Sequence, residues 1–150
     1  MKVIASNKKA SHEYFFLESF ECGIVLTGTE IKSIRAGKVS VSDSYCRVKD
    51  GELYVLNMNI AKYDYGNIFN HEELRERKLL MRKHEILKLG QRLKTDGLTL
   101  VPTKVYLKEG LCKIEIALAK GKKQYDKREV AKEADSKRRM QKAMKNIAVD

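Results

Sequence analysis

The residues able to do chemistry lie in three short stretches. The first, "SNKKASHEY", sets Asn7, Lys8, Lys9, His12 and Tyr14 close together. Lysines hold phosphate as point charges, while histidine and tyrosine offer a flat face and a hydrogen bond to a base. That mixture suits folded or single-stranded RNA better than the regular surface of a DNA duplex. The second, "GTEIKSIRAGK", places Glu30 among Lys32, Arg35 and Lys38. Two readings of Glu30 stand side by side. It pairs with a neighbouring cation for little net stability, or it accepts from a base amino or imino group and rejects wrong partners by leaving a charge unpaired. The third holds Glu72, Glu73 and Glu76 beside Arg75, Arg77 and Lys78, and reads as a solvated, ion-paired loop rather than a metal site.

Catalytic signatures are missing. His12, His71 and His84 form no HExxH, and the chain contains no GxSxG, GxxxxGK[ST] or GxGxxG. The expectation is a binding protein, not an enzyme, with no cofactor and no metal. Cys22, Cys46 and Cys112 are odd in number and far apart, so they read as free thiols in a reducing cytosol. No apolar run spans a bilayer and the N-terminus lacks a secretory pattern, so the expected location is cytoplasmic, with no membrane partner.

Positioning these stretches falls to a body of short strands. Asp50–Gly51 and Glu109–Gly110 each split two strand patterns, and both dipeptides tolerate the positive φ a tight hairpin needs. Cys112, Ile114, Ile116 and Leu118 alternate with Lys113 and Glu115, the period of a half-buried strand. The stretch "EYFFLESFECGIVLTG" predicts two strand segments bent near Glu21–Gly23. Pro102, the only proline, belongs at an edge or irregularity. Ile86, Leu89, Gly90 and Leu93 recur at helical spacing in "KHEILKLGQRLKTDG", with Asp96–Gly97 as the stop. A shorter helix in "TEIKSIRAG" takes Thr29 as its N-cap, buries Ile31 and Ile34, and ends before Gly37. About six antiparallel strands with helices at the ends suggest a small closed barrel, for which the oligonucleotide-binding (OB) fold is the natural basic candidate and a sandwich the alternative.

Charge divides the chain. Lys and Arg number 31 against 20 acids, a net charge of +11 over 150 residues. Residues 120–150 alone hold 11 basic and 5 acidic side chains, so one fifth of the chain carries more than half of the excess. Such a balance calls for a polyanion. The expected division is an RNA-binding body over 1–121 and a basic tail over 122–150. The tail's apolar stripe (Met140, Ala143, Met144, Ile147) is too thin to dock firmly, so the tail is expected to be disordered alone and helical on a partner. A merely solubilising tail is the plainer reading.

Across nearly the whole chain, "NKKASHEYFFLESFECGIVLTGTEIKSIRAGKVSVSDSY", "NHEELRERKLLM" and "IEIALAKGKKQYDKRE" resemble the SmpB family of bacterial transfer-messenger RNA-binding proteins. The run GKKxYDKR after an alternating strand is the most specific element. The resemblance implies a mainly β fold: a closed antiparallel six-stranded barrel related to the OB-fold, with three helices. It implies binding to the tRNA-like domain of transfer-messenger RNA at its D-loop and elbow, entry into ribosomes stalled on broken messages, and tagging of the incomplete product. Further implied partners are the small-subunit decoding centre and message channel, and indirectly alanyl-tRNA synthetase and elongation factor Tu. By position, Glu30, Leu80 and Lys113 match RNA-binding residues, as do Asn7, Lys8, Lys9, His12 and Tyr14. Lys32 and Arg35 flank Glu30 on the same expected face. Gly121, Lys122 and Lys123 fall at the exit to the tail. Tyr125, Asp126, Lys127 and Arg128 match the element placed in the decoding centre, and Ala143–Met144 the far end of a helix along the message channel.

Overall fold

The computed structural model describes residues 1–64 and 70–122. Among the described residues, nine strands and three helices follow in the order β1 (Lys2–Ser6), α1 (Lys8–Glu13), β2 (Tyr14–Ile24), α2 (Gly28–Arg35), β3 (Val39–Ser40), β4 (Tyr45–Lys49), β5 (Glu52–Leu56), β6 (Asn59–Ile60), β7 (Arg77–Leu80), α3 (Lys83–Asp96), β8 (Thr99–Lys108) and β9 (Leu111–Gly121). Six of the strands close a ring in the order β8, β4, β5, β7, β2, β9 and back to β8, every pairing antiparallel. Closing the ring pairs edges that would otherwise stay open to other chains. β1 lies outside it along β8, and β3 pairs with β6 as a separate short ribbon.

Alternation builds the interior. Ile114, Ile116 and Leu118 of β9 meet Leu53 and Val55 of β5, Leu79 of β7 and Leu100 of β8 in one buried cluster. Ile86 and Leu89 of α3 join it, as the helical spacing requires. Both hairpins form as the turn chemistry dictates: Asp50 and Gly51 have φ 53° and 77°, Glu109 and Gly110 have 53° and 79°. These paired positive values match the twist of the flanking strands. Gly97 caps α3 in the left-handed conformation. Pro102 sits at a register shift in β8 between Pro102 and Lys104, where its missing N–H interrupts the ladder least. That shift also divides β8: Leu100 before it faces β4, while Lys104 to Leu107 after it face β1.

Four expectations are corrected. β2 runs unbroken, and its irregularity is a bulge between Phe16 and Glu18 rather than a bend at Glu21–Gly23, where pairing with β9 is regular. α2 is capped by Thr27, not Thr29, because only Thr27 completes a capping box with Glu30: its side chain accepts from the Glu30 N–H while Glu30 accepts from the Thr27 N–H. Ile34 is buried in α2 and Ile31 only half so. The polar stretch before Met81 contains strand β7, hidden because its first residue, Arg77, is charged yet wholly buried. The residues after Asn7 form α1, too short for periodicity to reveal.

Candidate nucleic-acid interface

The first surface gathers at one end of the β2–β9 pair. Asn7 caps α1, its side-chain oxygen accepting from the Ala10 N–H at 3.0 Å. Its amide group donates to the carbonyls of Val41 at 2.9 Å and Pro102 at 2.8 Å. Asn7 is therefore buried and fully used inside the fold. It positions α1 rather than facing a ligand, because an N-cap must turn its side chain back onto the helix. Ala10 packs the helix against Ala119 and Val101, with Tyr14 half-buried at the border. Lys8, Lys9 and His12 are then left on the solvent side. Asp43 partners Lys9 at 2.7 Å and raises its pKa, first through that hydrogen bond and then through charge. Tyr14 pairs with Gly121 in register, so the start of β2 and the end of β9 coincide. Lys122 follows directly, donating to the Ser11 carbonyl at 3.2 Å with its ammonium 5.2 Å from the Phe15 ring. One end of the ring thus collects Lys8, Lys9, His12, Tyr14, Gly121 and Lys122.

A second surface lies at the far end of the same strand pair. Gly23 of β2 faces Lys113 of β9 and Leu80 of β7. Lys113, Leu80 and Arg35 together line a cavity of about 270 Å³, with Ile31, Leu107 and Leu111. Leu80 is 53% exposed, an apolar side chain on the surface of a cavity that two cations also line. Nine residue steps of strand lead from Tyr14 to Gly23, so the two surfaces stand about 30 Å apart along β2. An extended polyanion is the kind of ligand that meets both.

Glu30 belongs to neither surface. It is fully buried, and its partners are not Lys32, Arg35 or Lys38 but Arg75 and Arg77. Arg77 Nε donates to it at 2.6 Å; Arg75 donates through Nη2 at 2.8 Å and Nε at 3.2 Å; the Thr27 N–H adds a bond at 2.8 Å. Burial alone pushes the Glu30 carboxyl up. The hydrogen bonds from Arg75, Thr27 and Arg77, with the Arg77 charge, outweigh it and hold the pKa at about 2. Burial, joined by the nearby Arg75 charge, lowers the Arg77 pKa against the opposing pull of Glu30, yet a guanidinium stays charged. With both oxygens occupied and no exposure, Glu30 reaches no base. Lys32, two residues further along α2, is exposed, and its ammonium lies 5.3 Å from the Tyr63 ring.

Arg77 is the residue that sequence reasoning missed. Its remaining donors serve the carbonyls of Met58 at 2.7 Å and of Glu72 and Glu73 at 3.2 Å each. It thereby ties the loop before β7 to α2 and β6. The acids of that loop stay exposed and do not pair with Arg75 or Arg77; Glu76 instead meets Arg47 at 3.5 Å. His71, also buried, bonds Thr29 Oγ1 at 2.8 Å and the Ile60 carbonyl at 2.9 Å. The one signal on offer was Thr27-x-x-Glu30, a capping box that fixes the Glu30 carboxylate at a helix start.

Among the described residues no cluster of histidine, cysteine and acid can hold a metal, and no helix is long and apolar enough to cross a membrane. All three cysteines are free; burial pushes Cys22 up to about 12 and Cys112 up to about 11. Lys123, Tyr125, Asp126, Lys127, Arg128, Ala143 and Met144 lie outside the described residues.

Comparison with known proteins places this geometry in context. The family model described as SmpB protein matches residues 4–146. The SsrA-binding protein of Pelotomaculum thermopropionicum is 54% identical over 145 residues, covering 97% of this chain and 95% of the relative. That of Bacillus cereus is 55% identical over 145 residues, covering 97% and 94%. A chain of the solved structure "tmRNA-SmpB: a journey to the center of the bacterial ribosome" superposes with a TM-score of 0.66 at 48% identity, over 78% of this chain and 82% of that one.

Proposed function

The chain belongs to the SmpB family, and from that premise we propose that it binds the tRNA-like domain of transfer-messenger RNA and carries it to stalled ribosomes for trans-translation. One observation carries the reading: the Tyr14–Gly121 register gathers the cationic face of α1 and the start of the basic C-terminal segment at one end of the ring. The body then holds the RNA while residues 122–150 work elsewhere. The ring is proposed to be a barrel of the OB kind.

The body contacts are proposed to come from Lys8, Lys9, His12, Tyr14, Gly121 and Lys122 at one end, and from Lys32, Arg35, Leu80 and Lys113 toward the other. Asn7 and Glu30 serve the same interface at one remove, by fixing α1 and the start of α2. Nothing here is a catalytic step: charge recruits the RNA, and shape selects it.

Residues 122–150 are proposed to order only on the ribosome. Tyr125, Asp126, Lys127 and Arg128 would meet the decoding centre, and the stretch through Ala143 and Met144 would follow the vacant message channel. Intact message competes for that space, which confines the factor to stalled ribosomes. Alanyl-tRNA synthetase and elongation factor Tu are proposed as indirect partners through the charged RNA, all in the cytoplasm.

The test is binding of the full chain to a tRNA-like transcript with and without its D-loop. Selective loss on removing the D-loop is the expected result. Equal affinity for both, and for unrelated RNAs, would instead assign a general RNA chaperone.

A further inference from the structure

A bulge in a strand re-aims side chains, and the bulge in β2 does so at an unusual place. In a regular strand neighbouring side chains point to opposite faces. Here the register slips between Phe16 and Glu18, leaving Leu17 without a partner on β9. Phe16 and Leu17 are both exposed, at 39% and 51%. They line a groove of about 360 Å³ with Leu98, Arg92, Asp96 and Lys120. Arg92 is committed to Glu18 at 2.7 Å and Asp96 at 3.8 Å, which neutralises the acids on that side.

We propose that Phe16 and Leu17 form a platform on which one unpaired RNA base stacks. The inference rests on the RNA-binding reading above and adds to it a contact outside the residues assigned there. Three observations carry it. The exposed apolar surface is two side chains wide, far below the roughly 800 Å² per partner of a standard protein interface. It is nevertheless wide enough for a single base, for which an aromatic face flanked by cations is the usual seat. Cations of the right sign adjoin it, with Lys120 in the groove and Lys122 over the adjacent Phe15. Finally, the platform is continuous with the α1 surface, since the same Lys122 reaches the Ser11 carbonyl.

The chain contains no tryptophan, so Phe16→Trp in the full-length protein places a single indole on the platform. The probe is the tRNA-like domain transcript. Indole emission should be quenched on titration and saturate with the binding curve measured independently. Phe16→Ala should weaken binding about tenfold with the salt dependence unchanged, because no phosphate contact is removed. Phe16→Leu, which keeps the apolar volume without the ring face, should also weaken it. All variants should retain the wild-type far-UV circular dichroism.

Unchanged emission at saturating RNA overturns the platform, as does wild-type affinity in Phe16→Ala, and both would leave the RNA-binding function standing. Emission that responds only to the protein's own concentration assigns the face to self-association and also overturns it. Failure of the wild-type chain to bind the transcript overturns the function and the platform together.

Discussion

Glu30 Oε2 lies 2.6 Å from Arg77 Nε, with both side chains fully buried and their positions 47 apart in sequence. The pair joins the start of α2 to the first residue of β7. Such an ion pair is a poor source of net stability against an apolar replacement, but removing one partner strands the other. Glu30→Gln should therefore destabilise the fold by about 3 kcal/mol. RNA affinity should fall with it, through displacement of α2 rather than loss of a direct contact. Melting temperature and affinity measured on the same variant check this: reduced affinity at unchanged melting temperature would mean Glu30 touches RNA.

The same carboxyl sets an acid limit. Its pKa in the fold, about 2, lies below that of an unfolded glutamate. The stabilisation is thus complete above the unfolded value, near 4.3, and is lost as pH falls through about 2. A loss of roughly 3 kcal/mol across that window is expected. Urea midpoints measured from pH 6 to pH 2 should show it, and the decline should be shallower in Glu30→Gln.

Asn7 acts as cap and tether at once. Asn7→Ala removes the acceptor for Ala10 N–H and the donors to Val41 and Pro102. A cost of about 2–4 kcal/mol follows from the lost cap and the two unpaired carbonyls. Asn7→Asp keeps the cap but not the donors, and should fall between wild type and alanine. Amide exchange in α1 should accelerate in the same order.

Gly90 offers a gain. It sits inside α3, where glycine costs roughly 0.5–1 kcal/mol against alanine. An added Cβ would meet Val48 Cγ1 at 3.5 Å, an ordinary contact. Gly90→Ala should raise the melting temperature by about 2–5 °C without changing RNA affinity.

Much of the architecture was legible in the residues. The two hairpins, α3 with its stop, and the half-buried β9 follow from turn chemistry and apolar spacing, which are local signals. β7 and the Glu30 network were not legible, because a buried arginine looks like an exposed one until its partner is known, and Glu30 lies far off in sequence. α1 was too short to show a period. Among the named candidates, the burial of Asn7 and Glu30 was not legible. Asn7 and Glu30 are polar residues in the same polar stretches as the exposed Lys8 and Lys32, and only the fold shows that they face inward.

Phosphate contacts impose a salt law. If about six phosphates are held, log affinity should fall against log salt with a slope of about −4 to −5. A flat response would exclude a phosphate-dominated interface.

The most direct measurement compares the full chain with one ending after Lys122, which keeps β9 intact. Both are assayed for affinity toward the tRNA-like transcript and for peptide tagging on ribosomes stalled at a message lacking a stop codon. Near-equal affinity with tagging abolished in the shortened chain is the predicted result. Parallel loss of binding and tagging, or tagging that survives, would contradict a division of labour between ring and C-terminal segment.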